Sequence, residues 1–259
     1  MAEKCYYEVN DRGVALLKID NPPMNALDEE TMRQLESSIK KIAADDAVKV
    51  VVVTGQGPTF VVGADINKVK EVDTREKGAA LTSEAQGIIN LIEILRKPVI
   101  AAINGLCLGG GTELAMACHM RFIGDQAQMG LPEILLGIMP AFGGTQRSVR
   151  LLGQARALEI MLTGKFIPAA ECEKIGLVNR VVPHAGVVDE ALKFAKELSY
   201  KGQLAVRSIL EAVMEGGRMP LAEGLKLESS LFGGLAESED KKEGIAAFLE
   251  KRRPNFTGR

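Results

Sequence analysis

Two carboxylates lie in apolar, glycine-rich surroundings, where acidic side chains are uncommon. The first, Glu113, follows three consecutive glycines within a mostly apolar stretch that runs from Pro98 to Cys118. The second, Glu133, lies twenty residues further on, in the sequence Met-Gly-Leu-Pro-Glu-Ile-Leu-Leu-Gly. Burial and mutual repulsion can move the pKa values of two such groups apart, so that one acts as an acid while the other acts as a base. The pattern therefore indicates paired acid/base chemistry.

The triple glycine ahead of Glu113 suits a backbone that binds a ligand. Glycine lets the main chain approach a ligand closely, and the first N–H groups of the helix that follows have no partner inside that helix. Such N–H groups can stabilise negative charge that develops on an oxygen during a reaction. Glycine clusters also occur where a helix packs tightly on a strand, so the motif taken alone is weak.

Strand-like and helix-like segments alternate over the first three quarters of the chain, and they must position these residues. The runs Val48–Thr54 and Pro98–Ile103 are typical of strands buried on both faces. Helices are predicted over Asn25–Ala44 and Ser83–Leu95, and a further helix begins at Glu113. This alternation predicts an α/β fold with parallel strand pairing.

Beyond about Ala185 the strand signal disappears. Four segments have helical periodicity, with the glycine pairs at 216–217 and 233–234 as predicted breaks: Val187–Leu198, Gln203–Met214, Leu221–Leu231 and Ser238–Glu250. We therefore divide the chain into a core over residues 1–195 and a helical region over residues 196–259. A helical region this small buries little apolar surface alone, so we expect it to pack on the core and on neighbouring subunits.

Composition and charge argue against several classes of protein. With 259 residues, 46% of them hydrophobic, and a net charge of -2, the chain can bury a core and has no overall attraction to nucleic acid or acidic membranes. The four cysteines form no Cys-x-x-Cys pair and the two histidines lack metal-ligand spacing, so we expect reduced structural thiols and no metal. No apolar leader opens the sequence and its uncharged stretches are broken by Gly, Pro and Asn, which predicts a cytoplasmic protein.

The segment from Asn67 to Gly78 is densely charged, with both signs mixed. Such runs are typical of a solvated loop or helix. Because this one directly follows the turn Gly63-Ala64-Asp65-Ile66, it could instead form a mobile wall over a pocket. The sequence leaves both interpretations open.

Four motifs taken together resemble the enoyl-CoA hydratase (crotonase) superfamily over nearly the whole chain. They are Gly-Gly-Gly-Thr-Glu, Phe-Val-Val-Gly-Ala-Asp-Ile, Pro-Glu-Ile-Leu-Leu-Gly and Gly-Gly-Thr-Gln-Arg. The resemblance implies a crotonase-like spiral of ββα units with a C-terminal helical trimerisation region, and homotrimers that often pair into hexamers. It also implies an acyl-CoA substrate, with coenzyme A as part of that substrate and no separate cofactor.

The same resemblance implies catalytic roles. The oxyanion hole falls on the backbone N–H groups of Ala64 and Gly110, which would stabilise negative charge on a thioester oxygen. Glu113 would orient and activate a water molecule, and Glu133 would transfer a proton at C2. The two roles can be shared, because such a pair titrates as a coupled unit. Superfamily isomerases typically keep only the carboxylate that matches Glu133, so the presence of both acids favours addition of water.

Binding of coenzyme A is expected from the resemblance at the turn that contains the first oxyanion N–H. The residues concerned are Ala64, Asp65, Ile66, Asn67 and, at the second turn, Gly110. Many hydratases carry Lys where this chain has Asn67, which removes one positive charge. Positive charge is then expected from Lys97, or from Lys251 and Arg252 of a neighbouring subunit.

Further departures from the common pattern bear on the substrate. Ala141 and Phe142 occupy two positions where typical hydratases have small residues, the first usually glycine. Phe142 either shapes an acyl pocket or packs in the core. This keeps open an enoyl-CoA isomerase, or a hydratase specialised for dienoyl or alicyclic acyl-CoA, as an alternative function. His119 stands where family members often carry Asp, and we interpret both it and His184 as structural.

Two other interpretations are also open. Each glutamate could form a buried ion pair with Arg121 or Arg147, because buried carboxylates need partners. The chain could also be a catalytically idle, RNA-associated protein. It has no basic excess and only 4% aromatic residues to stack on bases, which argues against that role.

Overall fold

The strands form two sheets in the computed structural model, which describes residues 3–259. Met1 and Ala2 lie outside the described residues. They begin the N-terminal segment for which no apolar leader is predicted. The strands are β1 (Cys5–Val9), β2 (Val14–Ile19), β3 (Val50–Gly55), β4 (Thr59–Val62), β5 (Val99–Ile103), β6 (Leu106–Leu108), β7 (Met120–Gly124), β8 (Gln128–Gly130), β9 (Ile167–Pro168) and β10 (Arg180–Val182). The larger sheet has the order β1-β2-β3-β5-β7-β10, and the smaller has the order β4-β6-β8-β9.

Helices cover the sheets and form the C-terminal part of the chain. They are α1 (Glu29–Ala44), α2 (Ile66–Lys70), α3 (Arg75–Glu93), α4 (Gly110–Ala117), α5 (Gly144–Leu152), α6 (Gln154–Thr163), α7 (Ala169–Lys174), α8 (Val187–Ser199), α9 (Gln203–Met214), α10 (Leu221–Leu235) and α11 (Glu239–Leu249). Short 3-10 helices span Pro132–Leu136, His184–Gly186 and Gly216–Arg218. Within residues 3–259, no helix has both the length and the apolar character needed to cross a bilayer.

Three successive turns of the chain repeat the order strand, strand, helix. They comprise β3, β4 and α2–α3, then β5, β6 and α4, then β7, β8 and α5. In each turn the first strand joins the larger sheet and the second joins the smaller, and the strands from successive turns pair in parallel. The expected spiral of ββα units is therefore confirmed. Because every turn places its second strand beside the previous one, the loops after β4 and β6 meet at one edge.

The core lies on both faces of the larger sheet. All six residues of β3 are buried, which explains its β-branched sequence. Helix α8 covers one face through Val187, Ala191 and Ala195. The other face packs against the apolar sides of α1, α3 and α4. The predicted boundary between residues 195 and 196 falls within α8, and it stays a prediction.

Several predicted elements have different limits in the structure. The smaller sheet was not predicted, because β6 and β8 contain three residues each, too few to establish a periodicity. Helix α3 begins at Arg75 rather than Ser83, since the Thr74 side chain accepts a hydrogen bond from the Lys77 N–H and caps it. The break predicted at residues 233–234 is wrong, because α10 continues through both glycines to Leu235.

The four cysteines are buried and unpaired, which confirms the prediction of structural thiols. They lie in β1 (Cys5), in β6 (Cys107), directly after α4 (Cys118) and in α7 (Cys172). Burial raises the pKa of each thiol well above its usual value. Thiols of this kind behave as small apolar side chains.

Candidate active site

The two predicted acids and the two predicted oxyanion residues line one cavity of about 630 Å³. Glu113 and Glu133 reach it from different elements, α4 and the 3-10 helix Pro132–Leu136. Ala64 reaches it from the loop that follows β4, and Gly110 reaches it from the start of α4, just after β6. The remaining lining is mostly aliphatic. A concave apolar site with a few convergent polar groups is typical of small-molecule binding.

The two glycine turns touch each other beside this cavity. Gly63 and Gly109 both have a positive φ, of 71° and 53°. A β-carbon on Gly109 would lie 3.5 Å from the Gly63 Cα. The N–H groups that follow, those of Ala64 and Gly110, donate no hydrogen bond to any residue within 3–259. The structure thus brings together two unpaired main-chain donors from separate turns.

Close contacts at the start of α4 require glycine. A β-carbon on Gly111 would lie 2.0 Å from the Val61 carbonyl oxygen, so the helix can pack on β4 only with glycine there. The Thr112 side chain fixes the same turn from behind, with its Oγ1 2.7 Å from the Cys107 carbonyl oxygen and 2.8 Å from that of Gly130. These contacts join α4 to β6 and β8. The sequence alone did not indicate this role of Thr112.

Glu113 is almost fully buried, and main-chain donors hold it. Its side chain sits on α4, where every residue is buried, and 2% of it is exposed. Oε1 accepts hydrogen bonds from the N–H groups of Phe142 and Gly144, both at 2.7 Å. Burial, with a smaller contribution from the negative charge of Glu133, raises the pKa of Glu113 to about 7, although the hydrogen bonds oppose the shift. The carboxyl is therefore poised between its two protonation states near neutral pH.

Glu133 approaches the same space from a more exposed element. Its Oε1 lies 3.1 Å from the position that a β-carbon on Gly109 would take, so the carboxyl borders the second glycine turn. Its Oε2 is buried and has no hydrogen-bond partner among residues 3–259. Burial raises the pKa of this carboxyl as well. Because buried polar atoms are nearly always satisfied, an unpaired oxygen here suits a group that acts on something bound in the cavity.

Neither glutamate forms an ion pair with arginine among the described residues, so that alternative is wrong. Arg147 binds Glu93 instead, with its Nε and Nη2 donating to Oε2 at 2.8 and 2.6 Å. Arg121 donates to main-chain carbonyls, among them that of Leu177. Both acids are thus left to the cavity, because the buried cations nearby already have other partners.

The charged segment from Asn67 to Gly78 forms part of the cavity wall. It comprises most of α2, a short connection and the first turn of α3. Val69, Val72 and Arg75 line the cavity, while the charged side chains of Lys68 and Lys77 form surface ion pairs. The interpretation as a wall is confirmed, and its mobility stays a prediction.

The residues expected to bind coenzyme A are only partly brought together. Ile66 lines the cavity with Ala64, whereas Asp65 caps α2 by accepting a hydrogen bond from the Asn67 N–H at 2.9 Å. Lys251 is exposed and does not line the cavity within the single chain, so its contribution from a neighbouring subunit stays a prediction.

Lys97 does not line this cavity, and its expected contribution to coenzyme A binding stays a prediction. Its Nζ donates to the carbonyl oxygens of Ile42 and Asp45, both at 2.6 Å, at the C-terminal end of α1. A cation at this end of a helix satisfies carbonyls that have no partner within the helix and interacts favourably with the helix dipole. Burial lowers the pKa of Lys97, as expected for an ammonium group enclosed by protein.

Ala141 and Phe142 both line the cavity, and Phe142 is also 92% buried, so the two interpretations of this residue are compatible. A β-carbon on Gly110 would lie 3.2 Å from the Phe142 ring, which places the ring against the second glycine turn. The other side of the ring borders a smaller cavity of about 180 Å³, together with Leu27 and Met32. The Phe142 side chain therefore separates two apolar spaces.

The two histidines are structural, as expected. His119 Nδ1 accepts a hydrogen bond from the Val99 N–H at 2.9 Å, and burial lowers the pKa of its ring. His184 lies on a 3-10 helix whose start is fixed by a hydrogen bond from its own N–H to Asp125 Oδ1 at 3.0 Å. Neither residue lines the cavity with the glutamates.

The raised pKa of Glu113 predicts that its charge destabilises the fold at high pH. The pKa of Glu113 is 4.5 in the unfolded chain and about 7 in the folded protein. The stability that the protonated carboxyl contributes is therefore complete below pH 4.5 and is lost as the pH rises through 7. We expect Glu113→Gln to be more stable than the wild type at pH 8, by up to roughly 3 kcal/mol, and the advantage to shrink towards pH 5. Urea denaturation at both pH values, with Glu159→Gln as a surface control, measures this. An advantage that is equal at both pH values would contradict the expectation.

Comparison with known proteins gives consistent results over almost the full length. The family described as enoyl-CoA hydratase/isomerase matches residues 10–259. A probable enoyl-CoA hydratase of Bacillus subtilis is 41% identical over 249 residues, with 96% of each chain covered. A crotonyl-CoA hydratase of Syntrophomonas wolfei is 42% identical, with 94% of each chain covered. The crystal structure of an enoyl-CoA hydratase from Bacillus anthracis has a TM-score of 0.95 at 34% identity, and covers 99% of this chain and 100% of its own.

Proposed function

This chain belongs to the enoyl-CoA hydratase/isomerase family, and from that membership we propose that it adds water reversibly across the 2,3 double bond of a 2-enoyl-CoA thioester. The product is a 3-hydroxyacyl-CoA, and the enzyme is a hydro-lyase. The observation that carries this proposal is the joint position of two unpaired N–H donors and two carboxyls with raised pKa in one apolar cavity.

The two main-chain donors would bind the thioester carbonyl oxygen. As water attacks C3, negative charge moves through the conjugated system onto this oxygen. The N–H groups of Ala64 and Gly110 are fixed in advance by adjacent turns, so they stabilise that charge without rearrangement. A removed donor of this kind typically costs about 3 kcal/mol of transition-state stabilisation.

The two acids would handle the protons. Glu113, as a carboxylate, accepts a proton from the water molecule whose oxygen forms the bond to C3. Glu133, as a carboxylic acid, gives a proton to C2, so the water molecule is added in full and the two acids exchange protonation states. In this proposal both acids act from the same face of the bound thioester, so addition would be syn. A shift of the Glu113 pKa to about 7 supports this sharing, since a single proton can then be distributed between the two acids.

The experiment that tests the proposal is turnover of crotonyl-CoA in isotopically labelled water. We expect 3-hydroxybutyryl-CoA that carries a solvent oxygen at C3, in a reaction that also runs backwards. The alternative, an isomerase, would move a 3-enoyl double bond without incorporating solvent oxygen. Failure to incorporate labelled oxygen from any 2-enoyl-CoA would reject the hydratase.

The acyl group would extend past Ala141 and the Phe142 ring. That ring borders the second oxyanion turn and closes the cavity on one side, which favours a short, unbranched acyl chain over a ring. Comparison of kcat/KM for straight-chain, dienoyl and alicyclic enoyl-CoA thioesters decides between these classes. Faster turnover of the alicyclic thioesters would favour the specialised alternative.

We also infer that the chain assembles as a homotrimer, with pairing into hexamers as the further possibility. Helices α10 and α11 expose large apolar side chains that the single chain does not cover, such as Leu221, Phe232 and Phe248, which are 78%, 72% and 82% exposed. Exposed apolar surface of this kind commonly marks a protein interface. Analytical ultracentrifugation would measure the assembly state, and a monomer would contradict this inference.

A further inference from the structure

A buried cluster of opposite charges lies behind the loop that holds Glu113. Glu93, the last residue of α3, is bound through Oε2 by Arg147 from α5, and the two side chains are 14% and 8% exposed. Its other oxygen, Oε1, contacts the guanidinium group of Arg218, on the 3-10 helix Gly216–Arg218 in the C-terminal region. Glu93 therefore joins the core to the C-terminal helices at one point.

Arg147 makes a second contact that leads directly to the active site. Its Nη1 donates to the carbonyl oxygen of Phe142 at 3.0 Å. This carbonyl lies in the chain between the two N–H groups, of Phe142 and Gly144, that donate to Glu113. The direction of the intervening peptide sets where both donors point, so Arg147 acts on Glu113 through the main chain.

The fit between Arg147 and this loop is close. A β-carbon on Gly143 would lie 2.0 Å from Arg147 Nη1, and Gly143 has a φ of 110°. The N–H of Arg147 also donates to the Gly143 carbonyl oxygen at 2.9 Å. Arg147 thus contacts two consecutive peptides of this turn, the first through its guanidinium group and the second through its main-chain N–H. Glycine at this position is explained by the arginine as well as by the backbone conformation.

We propose that Arg147, fixed in place by Glu93, is a positioning residue for Glu113, and that Arg218 connects the C-terminal helical region to that arrangement. The guanidinium is an effective clamp because its donors form a rigid planar fork, which fixes a carboxylate and a carbonyl at the same time. Its ion pair is with Glu93 and not with Glu113, so Glu113 has no salt bridge that would hold it charged.

Two variants test this with two readouts. Arg147→Met removes the clamp, and Glu93→Gln keeps the size of its partner but removes the charge. We expect kcat for crotonyl-CoA to fall about tenfold or more in both, with KM within about twofold, because misplaced catalytic groups slow the chemical step without weakening binding. We also expect amide hydrogen exchange at Phe142 and Gly144, followed by NMR, to become at least about tenfold faster, since loosened hydrogen bonds open more often.

The matched control is Arg96→Met. Arg96 lies just beyond α3 and pairs with Glu211 of α9 at 3.0 Å, so it also joins the core to the C-terminal helices, but it contacts neither Phe142 nor Gly144. We expect wild-type kcat and exchange in this variant, and an intermediate loss in Arg218→Met. If Arg147→Met does not fold, Glu93→Gln and Arg218→Met, each compared with Arg96→Met, decide whether Arg147 positions Glu113.

Wild-type exchange and wild-type kcat in Glu93→Gln would overturn the positioning role, and so would an equal loss in Arg96→Met. The kinetic readout rests on the proposed hydratase function, whereas the exchange readout does not. A wild-type protein that fails to hydrate crotonyl-CoA would therefore reject the proposed function, while the exchange rates would still decide the role of Arg147.

Discussion

Glu133→Gln is expected to lower kcat for hydration of crotonyl-CoA by about 10³-fold, and Glu113→Gln to cause a comparable loss. Glutamine has the size of glutamate but can neither give a proton to C2 nor accept one from water. Each variant should retain its fold. The side-chain amide oxygen introduced by Glu113→Gln can still accept from the N–H groups of Phe142 and Gly144, and Glu133 sits on a 3-10 helix with no fully buried residue. Stopped-flow and steady-state rates over a range of substrate concentrations measure the loss.

Glu171→Gln, on the surface of α7, is the matched control for both variants and is expected to retain full activity. Circular dichroism and thermal melting confirm that the catalytic variants are folded. A kcat within tenfold of the wild type in Glu133→Gln would remove that residue from the mechanism. The same result in Glu113→Gln would mean that water is activated by another group.

We expect Gly144→Ala to reduce kcat by about 10²-fold, a smaller loss than in the two glutamate variants. The added β-carbon would lie 2.7 Å from Glu113 Oε1 and 2.8 Å from the Pro140 Cβ, both too short for real contacts. The carboxyl or the loop must shift, and the hydrogen bond from the Gly144 N–H to Glu113 is then weakened. If Glu113 activates water as proposed, a small displacement of its carboxyl is costly, because the attacking oxygen has to be aligned with C3.

Gly87→Ala tests whether that loss is specific. Gly87 lies on the exposed side of α3, and a β-carbon there would meet nothing within 4 Å. We expect unchanged kcat in this variant and a gain in stability of about 1 kcal/mol, because alanine favours the helix over glycine. If Gly144→Ala instead retained wild-type kcat, the contact between this loop and Glu113 would not matter for the chemistry.

The main features of the fold could be predicted where the sequence has long enough patterns. The β-branched run of β3 and the periodic segments of α8 and α9 gave nearly correct limits. The smaller sheet had no such signal, because strands of two to four residues provide too few positions for alternation. The glycine pair inside α10 did not end the helix, since glycine costs a helix only about 1 kcal/mol per residue relative to alanine.

The side chains at the candidate site were easier to predict than the groups that hold them. Glu113 and Glu133 stand out because carboxylates are uncommon in apolar segments. The anchors of Glu113 are main-chain N–H groups, which every residue except proline carries, so only the Gly143-Gly144 pair could have indicated them. The sequence leaves Arg147 open as an ion-pair partner for either acid. Its pairing with Glu93 joins residues 54 positions apart, which a single sequence does not specify.

The four buried cysteines can be used to measure local opening of the structure. Each sulfur is buried in the same core on a different element: the edge strand β1, the strand β6, the residue after α4, and α7. A thiol reagent can react with one of them only when the structure around it opens, so the labelling rate of each cysteine measures the free energy of that local opening. Cys107, two residues before Gly109, reports fluctuations next to the second glycine turn without any engineered probe. Comparison with Cys5 would show whether the candidate site opens less often than the sheet edge.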